Sequence, residues 1–194
     1  TGSGSAFRGI FLAGGRYDVG TITGNQIGSL DGSSTITFIE SSTGAFAAIY
    51  DFTSSSNPIS NNRIGAITIT GIGTGTGGFR GILLNTSSAA TATLNNNQIG
   101  GSGAGAITDN LIGAYAMYAI QNSLANVSAT GNIIQNISGN SNFANTIVTS
   151  GMVLTGTGIV GPNTISQNVI HSLSNNSGAA SNSIYGLYCS FPAT

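Results

Sequence analysis

Few side chains in this sequence could take part in acid–base chemistry. The five acids are Asp18, Asp31, Glu40, Asp51 and Asp109, the four cations are Arg8, Arg16, Arg63 and Arg80, and the only histidine is His171. Glycoside hydrolysis requires two carboxyl groups roughly 5 to 9.5 Å apart, and in a repetitive fold such a pair would occupy equivalent positions of neighbouring repeats. The five acids fall at different positions of the repeat described below. The sequence therefore predicts no catalytic residue and no enzyme, but loops could still bring carboxylates together, so a polysaccharide-degrading enzyme stays open as an alternative.

Ligand sets for metals and cofactors are also missing from the sequence. It contains no Cys/His cluster, no EF-hand loop and no calcium-binding nonapeptide repeat. The single cysteine, Cys189, cannot form an internal disulfide. We therefore predict no metal and no cofactor. Cys189 is expected to be either a buried thiol or one half of an intermolecular bridge.

The amino-acid composition limits the classes of partner that this protein is expected to bind. Charged residues make up 5% of the chain, lysine is absent, and the net charge is −1. Nucleic-acid binding depends on clustered basic residues, and no apolar run reaches the roughly 18 residues that span a bilayer. We therefore expect neither nucleic acid nor membrane insertion. The hydrophobic fraction of 40%, much of it in short β-branched runs, argues against a disordered linker.

An asparagine motif recurs along the whole chain. It consists of Asn, any residue and an aliphatic residue, and its asparagines are Asn25, Asn62, Asn97, Asn132 and Asn168. Their spacings are 37, 35, 35 and 36 residues, and a fixed period of this length is typical of solenoid proteins. Asparagine tolerates the left-handed backbone of a sharp corner, and stacked amides can bond to one another. We predict that the five asparagines form a structural ladder along one corner.

A second marker has the same period. Phe7-Arg8-Gly9-Ile10 recurs unchanged as Phe79-Arg80-Gly81-Ile82, and looser versions place the repeat starts near Phe7, Phe46, Phe79, Met117, Ser150 and Ile184. From the aliphatic residue of this marker to the next motif asparagine takes 12 to 15 residues. The segment 101–115 breaks the register and is predicted to be an irregular insertion. Residues 1–194 are otherwise expected to form a single domain.

Each repeat has room for three short strands but not for a crossover helix. Coils of this kind bury their apolar strip only by stacking about 4.8 Å apart, which predicts an all-β parallel solenoid of about five coils of ~36 residues. The expected core residues are Ile22, Ile59, Leu94, Ala129 and Ile165, three positions before each motif asparagine, and Leu30, Ile67, Ile137 and Leu173, five positions after it, with Ser102 as the exception.

The motif segments resemble a known class of repeat. ITGNQIGSL, ISNNRIGAI, TLNNNQIGG, ATGNIIQNI and ISQNVIHSL are similar to the right-handed parallel β-helix repeats of large secreted bacterial surface or fibre proteins. The resemblance covers nearly the whole chain and rests on a pattern. It implies a right-handed, three-sided coil, an extracellular or cell-surface location and often no catalysis. The same broad fold includes pectin-lyase-like enzymes, whose basic and acidic catalytic clusters this sequence does not show.

Hydroxyl side chains flank the expected core residues of the second strand. Alternation along a strand directs them outward, and the resulting face comprises Thr21, Thr23, Ser60, Thr93, Ser128, Thr130, Thr164 and Ser166. It resembles the Thr-x-Thr arrays of ice-binding solenoids, although Pro58 and Asn95 interrupt it. A ligand-binding solenoid that recognises glycan or ice is therefore an alternative function.

Apolar residues come close to both ends of the repeat array. They are Phe7, Ile10 and Leu12 in the first coil, and Ile184, Leu187 and Phe191 in the last. Natural solenoids cover their ends with polar caps, and the flanks 1–6 and 192–194 are too short and too uncharged to do so. We predict a non-catalytic structural protein, an extracellular filament or surface adhesin, that stacks end to end with itself or with further repeats of a longer parent.

Overall fold

A computed structural model describes residues 6–40, 44–53, 55–72, 77–85, 91–123, 126–141, 146–156 and 162–191. These residues form short β-strands and one turn of 3-10 helix, Gly103–Gly105. The strands are β1 Phe7–Leu12, β2 Gln26–Gly28, β3 Ile36–Glu40, β4 Ala45–Asp51, β5 Pro58–Ser60, β6 Arg63–Gly65, β7 Ile67–Gly71, β8 Gly78–Leu84, β9 Thr91–Asn95, β10 Gln98–Ile99, β11 Ile107–Leu111, β12 Tyr115–Asn122, β13 Asn126–Thr130, β14 Ile133–Asn140, β15 Ile147–Thr155, β16 Thr164–Ser166, β17 Val169–Asn176 and β18 Ser183–Ser190.

The strands stack into three sheets that form the sides of a coil. Sheet A has the order β1-β4-β8-β12-β15-β18, and sheet B has the order β5-β9-β13-β16. In sheet C, β2, β6 and β10 align with the first half of β14, while β3, β7 and β11 align with its second half, and β17 follows β14. The pairings are parallel, so the predicted all-β parallel solenoid of about five coils is confirmed. Within the described ranges, no helix has the length and apolar character needed to cross a bilayer.

The interior consists of aliphatic columns in which each residue lies on its equivalent in the next coil. Ile59, Leu94, Ala129 and Ile165 form one column, as predicted. In the first coil, however, Val19 pairs with Ile59, and Ile22 is 92% exposed. The prediction for Ile22 is wrong because a turn, closed by the bond from Gly24 N–H to the Gly20 carbonyl, adds three residues before the first motif asparagine.

A second column shows where the sequence register slips. Ile36, Ile67, Ile107, Ile137 and Leu173 lie on one another in successive coils. The predicted core position of Leu30 is therefore wrong, because Ile36 occupies it. Ser102 is likewise replaced by Ile107.

Both slips are caused by corner loops, residues 29–35 in the first coil and 100–106 in the third. The irregular part of the segment 101–115 is correspondingly short. Its residues Ile107–Leu111 form a regular strand that pairs with β7 and β14.

The two corner loops dock on each other across the short corner of the second coil. Ser29 N–H donates to the Gly65 carbonyl at 3.2 Å, and Ala66 N–H donates to the Gly105 carbonyl at 2.9 Å. A Cβ added at Gly105 would lie 1.9 Å from the carbonyl oxygen of Leu30, so only glycine permits this approach. The loops therefore form a ridge that is fixed by backbone contacts.

Candidate functional site

The motif asparagines form a hydrogen-bonded ladder along one corner. Asn25, Asn62, Asn97 and Asn132 each donate from Nδ2 to the Oδ1 of the next asparagine, at 2.8, 3.0, 3.0 and 2.9 Å, and the last acceptor is Asn168. Each of the four also donates its backbone N–H to the same oxygen, at 2.9 to 3.1 Å. The three central side chains have no exposed surface. Buried amides of this kind stabilise only when their donors and acceptors are paired, as they are here.

The left-handed backbone of this corner lies one residue before the ladder. The residues with positive φ are Gly24 (74°), Asn61 (60°), Asn96 (55°), Gly131 (68°) and Gln167 (56°). The expectation that the ladder asparagines themselves supply this conformation is therefore wrong. The preceding residue turns the chain, which leaves the ladder asparagine free to stack its side chain in the interior.

The first coil exposes part of the core cross-section. Phe7 and Ile10 are half-buried, and Phe11 is 43% exposed. Phe7 stacks on Phe46 with ring centroids 4.4 Å apart. Leu12, in contrast, is 7% exposed and belongs to the core, so it offers little surface for an end-to-end contact.

The last strand is open along its whole outer edge. β18 pairs with β15 and with no other described strand, and it exposes Ile184 (51%), Tyr185 (41%), Leu187 (46%) and Tyr188 (43%). Phe191 is half-buried and packs against the core. This end therefore presents apolar and aromatic side chains beside an unpaired strand edge.

The C-terminal end is stepped. Sheet A carries β18, whereas sheets B and C end one coil earlier, at β16 and β17. A groove of about 350 Å³ lies beneath this overhang, and its lining includes Met152, Ile165, Asn168, Ile170 and Leu187. Asn168 is the last member of the ladder, and within the described residues no acceptor is found for its backbone N–H. The step therefore combines an apolar floor with an open hydrogen-bond donor.

The hydroxyl face is narrower than the sequence suggested. Its columns are Pro58, Thr93, Ser128 and Thr164, and Ser60, Asn95, Thr130 and Ser166. Thr21 and Thr23 lie outside both columns because Val19 takes the first-coil core position. Only the fourth and fifth coils carry a hydroxyl in both columns. The face is therefore too short and too interrupted to resemble a regular array.

Two buried carboxyl groups converge against one dipeptide. A Cβ added at Gly77 would lie 2.5 Å from Glu40 Oε1, and one at Gly78 would lie 3.2 Å from Asp109 Oδ2. Glu40 is 1% exposed and Asp109 is fully buried, and Arg80 next to them is 7% exposed. These residues do not share a column, since Glu40 aligns with Gly71 and Asp109 with Ile69. Counting from the motif asparagines missed their convergence because it ignored how the corner brings β3 and β11 to the start of β8.

Burial makes both carboxyl groups weak acids. It raises the pKa of Glu40 to about 7, with the charge of Arg80 acting in the opposite direction. It also raises the pKa of Asp109 to about 7, which the amides of Leu111 and Phe79 oppose and the charge of Glu40 reinforces. Asp109 Oδ2 accepts from Phe79 N–H at 3.1 Å and Oδ1 from Leu111 N–H at 3.2 Å.

Both carboxyl groups of this cluster are buried in this conformation. A general acid or base has to come within hydrogen-bond reach of the group it serves, and both carboxyls lack exposed surface. Within the described ranges, no three Asp, Glu, His or Cys side chains group as metal ligands. The cluster is a buried ionisable element of the core.

The two arginines of the first marker occupy one column. Arg8, Ala47 and Arg80 lie in register, followed by Tyr118 and, at the last strand, Tyr185. The Arg80 guanidinium lies 4.4 Å from the ring centroid of Tyr118. This column thus already contains a contact between an arginine and a tyrosine of the next coil.

Cys189 lies on β18 as an exposed free thiol.

Comparison of the chain with models of protein families gives no match, and comparisons with curated proteins and with solved structures give none either.

Proposed function

We propose that this chain is a non-catalytic structural solenoid that associates end to end, with β18 of one copy pairing in parallel with β1 of the next. The observation that carries the proposal is the agreement between the two open edges of sheet A. The residue columns of sheet A begin at β1 and end at β18. Each of these two strands leaves backbone groups and apolar side chains unpaired along its outer edge. Open edges of this kind are templates for a further strand, and a head-to-tail contact that repeats without closing generates a filament.

If the register of sheet A continues into the next copy, side chains of similar type lie opposite each other at the junction. Leu187 would lie on Ile10 of the next copy, in the column of Ile49, Ile82, Ile120 and Met152. Tyr188 would lie on Phe11, as Phe11 lies on Tyr50 at 5.4 Å between ring centroids. Tyr185 would meet Arg8, which repeats the contact of Arg80 with Tyr118 in the reverse order. Aromatic and cation–π pairs of this kind each add roughly 0.5–1.5 kcal/mol beyond apolar burial.

The stepped end limits the strength of this junction. With β1 of the next copy seated on β18, sheets B and C are one strand short, and the gap lies over the groove lined by Ile165 and Ile170. A gap of one strand is about 4.8 Å high and leaves apolar surface uncovered. We therefore expect association that is reversible and depends on concentration. A segment that supplied the missing strands, such as a further repeat of a longer parent chain, would satisfy the same edges more completely.

Sedimentation velocity over a range of concentrations tests the proposal. The sedimentation coefficient of the chain is expected to rise with concentration. Leu187→Lys is expected to suppress this rise, because it places a charge at the centre of the open edge. Ile133→Lys is the matched control, since Ile133 is a 38% exposed isoleucine on a lateral face. A chain that stays monomeric at every concentration would exclude self-association, and an equal response to both variants would exclude pairing through the edge of β18.

The proposal includes an extracellular or cell-surface location, as a fibre or surface protein of the secreted bacterial type. The resemblance of the repeats and the near absence of charge support it. Electron microscopy of the native material tests this part, because a filament, a surface stalk and a free monomer give different images.

A further inference from the structure

A polar groove of about 350 Å³ runs beside the corner ridge, on a lateral surface remote from the C-terminal end. Its floor is a row of three side chains in register on adjacent coils, Gln26, Arg63 and Gln98. Its walls come from the docked loops and from the fourth coil, and they include Asp31, Ser33, Ser102 and Gln135. The groove is thus part of the repeat array and does not depend on how the ends are covered.

The walls of the groove are held in place by the fold. The two corner loops are backbone-bonded across the second coil, with no room for a side chain at Gly101 or Gly105. Ser33 N–H donates to Asp31 Oδ1 at 2.9 Å, and Ser34 N–H donates to Ser29 Oγ at 3.0 Å. A ligand would therefore meet preformed walls, which lowers the entropic cost of binding.

The floor offers unused hydrogen-bonding groups. Within the described part of the chain, no hydrogen bond or ion pair engages the side chains of Gln26, Arg63 or Gln98. Arg63 is exposed, and Asp31 stays ionised because bonds from the backbone and side chain of Ser33 lower its pKa to about 2. The groove thus combines one guanidinium, one carboxylate and three primary amides, with a net charge near zero.

We infer that this groove binds a saccharide, as a short segment of an uncharged glycan lying along the solenoid axis over Gln26, Arg63 and Gln98. Each planar group can bond two neighbouring hydroxyls at once, as amide and guanidinium groups do with other paired acceptors and donors. The floor residues repeat every ~4.8 Å, close to the length of one sugar ring in an extended glycan. The row therefore accommodates about two rings.

Other classes of ligand fit this groove less well. A polyanion would be repelled by Asp31 and would find a single arginine, whereas nucleic acids require several cations. A peptide strand would need an unpaired sheet edge along the floor, but β6 and β10 are paired on both sides, and the open edge of β2 lies only at one end of the row. The floor carries no aromatic ring for a sugar to stack on, so the expected affinity is weak, with Kd in the millimolar range.

Titration of the ¹⁵N-labelled full chain with neutral tetrasaccharides, namely cellotetraose, mannotetraose and chitotetraose, tests the inference. With at least one of them, the side-chain amide signals of Gln26 and Gln98 and the Arg63 Nε–H signal should shift together and saturate. Arg63→Ala and Gln98→Ala should each weaken binding about tenfold, as expected for the loss of a charged or paired hydrogen bond. Because Arg63 is exposed and Gln98 is half-buried with no side-chain hydrogen bond among the described residues, these variants should keep the circular dichroism spectrum of the parent.

The control is the double variant Thr130→Ala/Ser166→Ala, which removes one adjacent pair of hydroxyls from the hydroxyl face and should leave the affinity unchanged. Trigalacturonate serves as the charged counterpart and should bind no more tightly than the neutral sugars. The inference is overturned if no tetrasaccharide gives saturable shifts in the groove, if Arg63→Ala leaves the affinity intact, or if binding depends on the hydroxyl face. Tighter binding of trigalacturonate would overturn the assignment to an uncharged glycan. None of these outcomes depends on self-association, so the inference stands or falls separately from the proposed function.

Discussion

Asn97 donates from Nδ2 to the Oδ1 of Asn132 at 3.0 Å, one coil further along the solenoid. The same Nδ2 donates to the Ile59 carbonyl at 2.8 Å, and Asn97 Oδ1 accepts two bonds from Asn62. One fully buried amide thus ties together three consecutive coils. No other side-chain type of this size offers two donors and one acceptor in that arrangement.

Removing this amide should destabilise the whole array. Asn97→Ala removes the partner of the buried Asn62 N–H, and it also breaks the bonds to Asn62 Nδ2, the Ile59 carbonyl and Asn132 Oδ1; each buried group that loses its partner costs about 1–3 kcal/mol. We expect a loss on the order of 3–5 kcal/mol in the free energy of unfolding, measured by urea denaturation. Asn25→Ala, at the open end of the ladder, should cost only about 1 kcal/mol because Asn25 donates to Asn62 and accepts from no ladder residue. Equal losses for the two variants would contradict the cooperative role of the ladder.

Two isoleucines at the same distance from a motif asparagine should respond oppositely to a charge. Ile59 has no exposed surface, whereas Ile22 is 92% exposed. Ile59→Asp is expected to abolish folding, because an unpaired buried charge costs several kcal/mol. Ile22→Asp should change the midpoint of thermal unfolding by little, as for most surface substitutions. Circular dichroism checks both, and a folded Ile59→Asp variant would mean that the column is not interior.

The buried carboxyl groups should make the protein less stable as the pH rises. In the unfolded chain, Glu40 and Asp109 ionise near pH 4, but in the folded protein their pKa values are raised to about 7. Between these values the folded state binds more protons than the unfolded state, so the free energy of unfolding falls with pH. The expected loss from pH 4 to pH 8 is a few kcal/mol. Asp31, whose pKa is lowered to about 2, acts in the opposite sense below pH 4, so stability should be greatest near pH 4.

Urea denaturation at several pH values measures this dependence. Glu40→Gln should flatten the slope between pH 4 and pH 8, and it should raise stability at pH 8, because it removes the cost of ionising a buried group beside Asp109. Asp18→Asn, a change at an exposed acid, is the control and should leave the slope unchanged. Stability that rises through this range would show that the pair is ionised and compensated in the folded state, contrary to expectation.

The regular parts of the fold could be predicted because they repeat. The asparagine period located the ladder, and four of the predicted core residues, Ile59, Leu94, Ala129 and Ile165, lie in one column. The prediction failed in the first coil because the turn at Gly20–Gly24 lengthens the chain between Val19 and Asn25. A fixed offset from a marker holds only where the corner has the same length in every coil.

The spacing of residues along the sequence could not predict features that combine residues of two different coils. The convergence of Glu40 and Asp109 depends on a corner whose path the sequence does not specify. The corner loops could not be paired in advance, because their docking rests on backbone contacts at Gly101 and Gly105. The groove floor did leave a signal, since the variable residue of the motif is polar in the first three coils and aliphatic, as Ile133 and Val169, in the last two.

A register-specific cross-link tests end-to-end pairing most directly. If β18 seats on β1 of the next copy in continuous register, Cys189 lies opposite Leu12, because both belong to the column of Asp51, Leu84, Asn122 and Leu154. Paired residues of adjacent strands have Cα atoms about 5 Å apart, within the range that a disulfide spans. Leu12→Cys therefore supplies a second thiol at the junction.

Mass photometry of the oxidised, concentrated Leu12→Cys variant gives the answer. Copies linked from Cys189 to the new thiol should form a covalent ladder of trimers and longer chains. The parent protein, with one cysteine, can give dimers at most, and Phe11→Cys, whose partner in this register is Tyr188, should cross-link far less. A Leu12→Cys sample that contains only monomers and dimers, like the parent, would contradict end-to-end stacking through sheet A.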